Sequence, residues 1–458
     1  MFKLLLIWRY FLKKHIAFIA IIAVMLVVMM VLVVLSIMSG LVERVRLQNH
    51  HWSGDIIISR DSMVGFPFYD EFIAQLDKNN IIEAATPTIK TFGLVNSRNP
   101  VQLLGIRIRD FCQVTNFADT LQHQPSGTIP DFTVADLTYV KDSDRRLTDR
   151  QRKHGCIPGI YTLSRDNFSR NTLWYDGKLL TYLPFDITVF GINSKGVLTG
   201  SETGEYRKFW YVDDSDSGLI DVDSSTIYVD FNQLQKLCWM NGTDGKPKRA
   251  GEIRIKLSRH ITLAQGYLQI KKLWMKFIDE IKMSGQDELL GDVKIETWKQ
   301  YRRSHIGPME REKSLMIVIF CLIGLVAVFI VFAIFYMIVT EKIKDLGIVK
   351  SVGGTGWGVS QIFLGYGLLV GLAGALMGII LGSSIVLHSN DIDAWLNKHF
   401  GFQLWPPDIY AIDKIPDVVD YRQAFVIALV AILASVAGAF LPARRAARLG
   451  IVETLQVD

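Results

Sequence analysis

The chain has 458 residues, of which 50% are hydrophobic, and a formal charge of +5. That length allows two or three folding units, and the charge is too small and too dispersed for a nucleic-acid footprint. The four cysteines lack C-x-x-C spacing and so exclude an ordinary zinc ligand set, while their number allows one disulfide among Cys112, Cys156 and Cys238 with no warrant for a particular pair.

The apolar residues are concentrated in long blocks, and a bilayer-spanning helix needs roughly 20 of them in succession. Residues 1–15 mix apolar, aromatic and basic side chains. Trp8, Arg9, Tyr10, Lys13 and Lys14 suit an amphipathic elbow anchored in the headgroup zone. Residues 16–38 carry no charge and read as the first transmembrane helix. The run is longer than a signal-peptide core and no A-x-A site follows it, so an uncleaved anchor is expected.

Residues 39–313 change texture. Short β-branched or alternating runs at 55–59, 101–106, 225–229 and 252–257 read as strands. Helical spacing covers Phe68–Leu76 and Leu263–Lys282, where Leu268, Leu273, Phe277 and Ile281 recur. A large α+β domain follows, with two subdomains expected. The polar stretch 121–155 reads as a surface insertion, with Arg145, Arg146, Arg150 and Arg152 on a solvated face. The run Asp213, Asp214, Asp216, Asp221 and Asp223 reads as a loop. In an EF-hand alignment, serines fall at ligand positions and Ser224 stands where a bidentate Glu is needed. His50 and His51 are expected at headgroup level rather than on a metal.

Residues 314–340, 359–388 and 421–442 supply three further spans, whose interiors hold no Asp, Glu, Lys or Arg. Proton- or ion-coupled transporters place ionisable groups at that depth, so secondary transport is disfavoured. Lys3, Arg9, Lys13, Lys14, Lys342, Lys344, Lys350, Arg444, Arg445 and Arg448 flank one side of the four spans. The 389–420 loop on the other side holds six aspartates against Lys398 and Lys414. The positive-inside bias therefore places both termini, the 341–358 segment and the basic tail 443–458 in the cytoplasm. The 39–313 domain and the acidic loop lie outside it.

Two features carry mechanism. Gly367, Gly371, Gly374, Gly378 and Gly382 fall on one stripe of the third span. Small residues there permit close helix packing, either within the chain against span four or two, or at a subunit interface. In the 341–354 segment, Ile343, Leu346, Val349 and Val352 make one apolar side of a short helix that Gly353-Gly354 would end. Such a helix fits a groove in a cytoplasmic partner, or forms a plain interfacial turn. The G-x-x-x-x-G-K-[ST], G-x-S-x-G and H-E-x-x-H motifs do not occur. The chain therefore reads as a non-enzyme with no cofactor of its own, and energy must come from a partner.

Four stretches together resemble the LolC/LolE-type lipoprotein-releasing permeases of the FtsX/MacB-like group: Trp8-Arg9-Tyr10-Phe11 with Leu35 to Leu41; Glu296-Thr297-Trp298 with Glu310 to Lys313; Glu341 to Gly354; and Leu441 to Leu455. Asp345 and Gly354 depart from the family loop motif E-K-x-x-E-I-G-I-L-K-x-x-G-A, Gly155 to Gly159 matches its I-V-L-G segment poorly, and the 121–155 insertion has no counterpart in it. The resemblance implies a multi-pass protein of the bacterial inner membrane with a MacB-like periplasmic core domain. It implies a second permease copy or paralogue and a cytoplasmic ATPase pair that binds ATP and Mg. Glu341, Lys342, Ile343, Asp345, Leu346, Gly347, Ile348, Val349, Lys350, Val352 and Gly353 would be the coupling segment. The cargo would be a lipoprotein drawn from membrane lipid toward a periplasmic carrier. Mechanotransmission for peptide or toxin export or for cell-wall hydrolase control, and a membrane-anchored sensor or scaffold, are alternatives that the fold also hosts.

Overall fold

A computed structural model describes residues 15–96, 99–124, 129–133, 154–162, 185–199, 204–242, 246–283, 289–341, 351, 353, 355–402 and 417–448. They fall into two compact units, one drawn from Met1–Arg44, Gly307–Leu404 and Lys414–Asp458, the other from Val45–Ile306 and Trp405–Asp413.

Helix α1 (His15–Ser53) belongs to both, because it does not stop where its apolar run stops. It ends at Gly54, whose φ of +77° no β-carbon-bearing residue adopts readily and whose N–H bonds to the His50 carbonyl at 3.0 Å. The mixed unit then runs β1 (Ile56–Arg60), α2 (Tyr69–Leu76), β2 (Ile82–Val95), β3 (Asn99–Ile106), α3 (Ile108–Val114), β4 (Gly155–Pro158), β5 (Phe185–Val189) and β6 (Glu205–Tyr211). It continues through α4 (Ile220–Asp223), β7 (Thr226–Asp230), α5 (Phe231–Leu237), β8 (Glu252–Leu257), α6 (Leu263–Met283), β9 (Val293–Thr297) and α7 (Trp298–Tyr301).

The nine strands form one mixed sheet in the order β9-β1-β8-β2-β3-β7-β4-β6-β5. The expected strand runs at 55–59, 101–106, 225–229 and 252–257 lie in β1, β3, β7 and β8. Strand β2 has 14 residues and serves two partners in succession: Ile82 to Thr88 pair with β8, and Thr88 to Val95 pair with β3. Its last residues also pair with β5, Gly93 opposite Val189 and Val95 opposite Ile187, so the final six strands close into a ring. A β-carbon at Gly93 would lie 2.8 Å from the Thr188 carbonyl oxygen, so glycine permits the closure. Where two subdomains were expected, one continuous sheet holds the described residues of this unit together.

Period-two alternation explains the Ile56-Ile57-Ile58 run. Ile56 and Ile58 join the main core with Phe66, Phe72, Trp274 and Phe277, while Ile57 faces Trp298 and Ile306 on the opposite side. Strand β1 is covered on both faces, which is why it reads as continuously apolar.

The helical unit completes the chain with α8 (Arg303–Glu341), α9 (Gly356–Leu387), α10 (Ser389–Phe400) and α11 (Tyr421–Arg448). Four of its helices, α1, α8, α9 and α11, are long and apolar enough to cross a membrane. The segment read as an acidic loop at 389–420 is helical in its first twelve residues. Asp391 in the first turn, Lys398 and His399 in the last, and a left-handed Gly401 after it are favourable helix-end choices that a purely apolar periodicity does not register.

Candidate functional site

The coupling segment lies mostly outside the described residues: Lys342, Ile343, Asp345, Leu346, Gly347, Ile348, Val349, Lys350 and Val352 are among those. Glu341 ends α8, and Gly353 takes φ +95° shortly before Thr355, whose hydroxyl accepts from the Gly358 N–H at 3.2 Å to cap α9. Trp8, Arg9, Tyr10, Lys13 and Lys14 also lie outside the described residues, as do most of the 121–155 insertion and residues 449–458. Arg444, Arg445 and Arg448 are exposed in the last turns of α11. Arg445 donates to the Tyr336 hydroxyl at 2.6 Å and sits 5.0 Å from that ring, tying α11 to α8.

The glycine stripe divides between two partners inside the chain. Gly367 and Gly371 face Ala439, Ser435 and Ile432 of α11, and the Ser435 hydroxyl donates to the Gly367 carbonyl at 2.9 Å. Gly374, Gly378 and Gly382 face Val24, Val28 and Leu32 of α1. Of the two candidate partners inside the chain, span four takes most of the contact and span two reaches Gly367 through Phe335, 3.6 Å from its β-carbon position, while span one was not among the candidates; Gly438 of α11 meets Val328 and Val331 of α8.

A dense polar arrangement lies in the mixed unit, where the last turns of α1 meet β8, α4 and α7. Arg302, just after α7, donates through Nε to the Asn49 Oδ1 and through Nη2 to the Asp221 carboxylate at 2.6 Å. His305 Nδ1 lies 3.3 Å from the same carboxylate. Arg254 of β8 donates to the Trp52 carbonyl at 2.8 Å and to the Glu252 carboxylate at 3.3 Å. The Tyr301 hydroxyl donates to the other Glu252 oxygen at 2.5 Å. The Trp52 ring is approached by both guanidinium groups, Arg254 at 4.3 Å and Arg302 at 5.1 Å, and its indole N–H donates to the Tyr228 hydroxyl at 2.9 Å. Asn49, Trp52, Glu252, Arg254 and Arg302 are all buried. Burial lowers the Lys90 ammonium and the His305 imidazole, and raises the Tyr301 phenol, each toward its neutral form. Networks of this kind specify one geometry between elements distant in sequence; here the buried Arg254 Nε is left without a hydrogen-bond partner among the described residues.

His50 packs within the mixed unit. Its Nε2 contacts the Asp55 carboxylate at 2.6 Å, and its ring stacks on Trp298 at 4.9 Å. The fit is local: α1 ends there, and Asp55 also accepts the Leu257 N–H of β8 at 2.7 Å. Cys112, Cys156 and Cys238 are free thiols, held protonated by burial, which lifts Cys112 to about 11 and Cys238 to about 12. None has the lowered pKa that a nucleophilic thiol needs.

Asp213, Asp214 and Asp216 lie in a loop, whereas Asp221 and Asp223, read as part of the same loop, lie in helix α4; the members serve separate purposes. Asp213 accepts from the backbone N–H groups of Gln122, His123 and Gln124 at 3.1, 2.9 and 2.8 Å. Asp214 accepts from the Tyr211 hydroxyl at 2.7 Å, and Asp221 pairs with Arg302. Asp223 accepts from Ser217 through one oxygen, while Oδ2 is buried with no hydrogen-bond partner among the described residues. Burial lifts that carboxyl to about 7. The unfolded chain titrates near ~3.9, so the native state holds the proton more tightly, and stability falls as pH rises from about 4 to about 7 and is level above that. Asp223→Asn fixes the neutral form and should flatten this limb. The difference in thermal midpoint between wild type and variant across that pH range is the measurement, and parallel profiles would refute the assignment.

Sequence reasoning singled out none of Asn49, Trp52, Arg254 or Arg302. The available signal was the arginine at the centre of the Glu252-to-Leu257 alternation, which cannot be solvated on a strand covered from both sides.

Residues 317–451 match the FtsX-like permease C-terminal family. The chain is 25% identical to the lipoprotein-releasing system transmembrane protein LolC of Xylella fastidiosa over 241 residues, 53% of each chain. It is 30% identical to LolC of Neisseria meningitidis over 164 residues, 36% of this chain and 40% of the relative. It is 27% identical to LolE of Haemophilus influenzae over 192 residues, 41% of this chain and 46% of the relative. The chain thus spans about half the length, or less, of the curated relatives it matches. The periplasmic region of MacB from Actinobacillus actinomycetemcomitans aligns over 56% of this chain and 96% of its own, at 14% identity and a TM-score of 0.28.

Proposed function

We propose that this FtsX-like permease of the LolC/LolE type is the membrane subunit of a lipoprotein-releasing ABC machine. In this reading a separate cytoplasmic ATPase dimer hydrolyses ATP, and a second permease copy or paralogue completes the membrane part. The mixed α/β unit lies in the periplasm and passes lipoprotein from the inner membrane toward a soluble carrier. The reading is supported most by helices α1 and α8. Each is unbroken from a charge-free apolar segment into the polar residues around Asn49 and Arg302, whose side chains bond to each other. Charge-free spans suit work on lipid better than conduction of ions.

Co-purification in mild detergent, with mass spectrometry of what is retained, tests the assembly. An ATPase and lipoproteins are expected, and a cell-wall hydrolase in their place would overturn the reading. Within the assembly, Asp345→Lys with Leu346→Ala should leave membrane insertion and ATP hydrolysis near normal while lowering ATP-driven lipoprotein release at least about tenfold, a loss of ~1.4 kcal/mol in coupling. Release at the wild-type rate in that double variant would remove the segment from the coupling role.

A further inference from the structure

Beside helix α6, β9 is the outermost strand of the nine-stranded sheet. It pairs with β1 on one side and with no described strand on the other. Between that open edge and α6 lies a groove of about 680 Å³, within the size range of built ligand sites. Its floor is apolar, from Met275 and Ile278 of α6, Leu290, and Val293 and Ile295 of β9. Its rim is basic. Lys271, Lys282, Lys294 and Arg303 line it, with Glu296 the one carboxylate among the lining residues. Lys294 is committed to Asp61, whereas Lys271, Lys282 and Arg303 have no ion-pair partner among the described residues.

We propose that this groove docks an extended acidic peptide segment of another chain, which adds to β9 as a tenth strand. Three observations converge on that occupant. An open strand edge presents alternating N–H and C=O groups that only another backbone can satisfy in register. β9 has five residues, or about 17 Å of ladder at ~3.3 Å per residue, enough to seat a short peptide. Finally, an added strand turns every second side chain toward α6, where Lys271 and Lys282 stand on either side of Met275 and Ile278, so acidic residues in that set would meet the free cations. An anionic lipid would satisfy the cations and the apolar floor but would leave the backbone edge unused.

The inference does not depend on the transport reading, because its readout is binding to the isolated full-length chain. A dye-labelled peptide of alternating glutamate and valine is titrated against that chain in detergent, followed by fluorescence anisotropy. Saturable binding is expected, weakened about tenfold by Lys271→Glu with Lys282→Glu on charge grounds. A peptide of the same sequence with alternate backbone amides N-methylated is expected to bind at least about tenfold more weakly. That comparison leaves the protein untouched and so cannot be confused with misfolding. Absence of saturable binding overturns the proposal. Equal binding of the methylated peptide overturns it too, since strand addition would then be unnecessary. So does short-chain phosphatidylglycerol that displaces the peptide while its own binding shows the same dependence on Lys271 and Lys282, which would make the groove a lipid site.

Discussion

Gly378→Leu should destabilise the helical unit severely, whereas Gly324→Leu on α8 should leave it nearly unchanged. A β-carbon at 378 would stand 2.8 Å from the Met25 carbonyl oxygen and 2.8 Å from the Val28 β-carbon. The first is backbone and cannot turn away, so α1 itself would have to move. Gly374 is similar, with Val24 at 2.8 Å and the Ile21 carbonyl at 3.1 Å. In a bilayer, helix association rests on close packing rather than on the hydrophobic effect, so losing this approach removes much of what holds α9 to α1. Overpacking costs ~1–3 kcal/mol even where neighbours relax, and a leucine against backbone belongs at the upper end or beyond. Gly324 has nothing within 4 Å of its β-carbon position. The thermal midpoint of the detergent-solubilised chain should fall for the first variant and hold for the second. Equal midpoints would mean that the stripe is not a packing surface within the chain.

That stripe also shows where sequence reading runs out. Glycines at helical spacing reveal that something comes close, but every small residue offers the same surface, so they do not name the partner. The split between α11 and α1 is set by helix placement in three dimensions. The same limit recurs in the mixed unit. Ile56 to Ile58 and the Glu252-to-Leu257 alternation were legible as strands because their periodicity is local. The pairing of Gly93 with Val189 was not, because ring closure depends on pairing between strands far apart in sequence. Helices α1 and α8 also extend beyond the apolar runs that predict them. Hydropathy marks where a helix leaves apolar surroundings, whereas a helix ends where its backbone is capped, at Gly54 for α1. Arg302 and Asn49, 253 residues apart, could be joined only by the fold.

The buried charges around Trp52 give the other large expected effect. Arg254 is fully buried and Glu252 nearly so. Arg254→Met keeps most of the side chain's bulk but leaves the Glu252 carboxylate, among the described residues, with the Tyr301 and Thr88 hydroxyls as direct partners. Breaking a buried pair from one side costs ~3–5 kcal/mol, because an uncompensated charge remains. Glu252→Gln, which removes the charge at the other end, should cost less, since its amide oxygen can still accept from Tyr301. Combining the two substitutions should recover a large part of the Arg254→Met loss, because no unpaired carboxylate is then left in the interior. Chemical denaturation of wild type, both single variants and the double variant gives the coupling directly. A coupling near zero would give Arg254 a different role, in which its guanidinium stabilises the unit through the Trp52 ring and carbonyl, holding the end of α1 against β8 without help from Glu252.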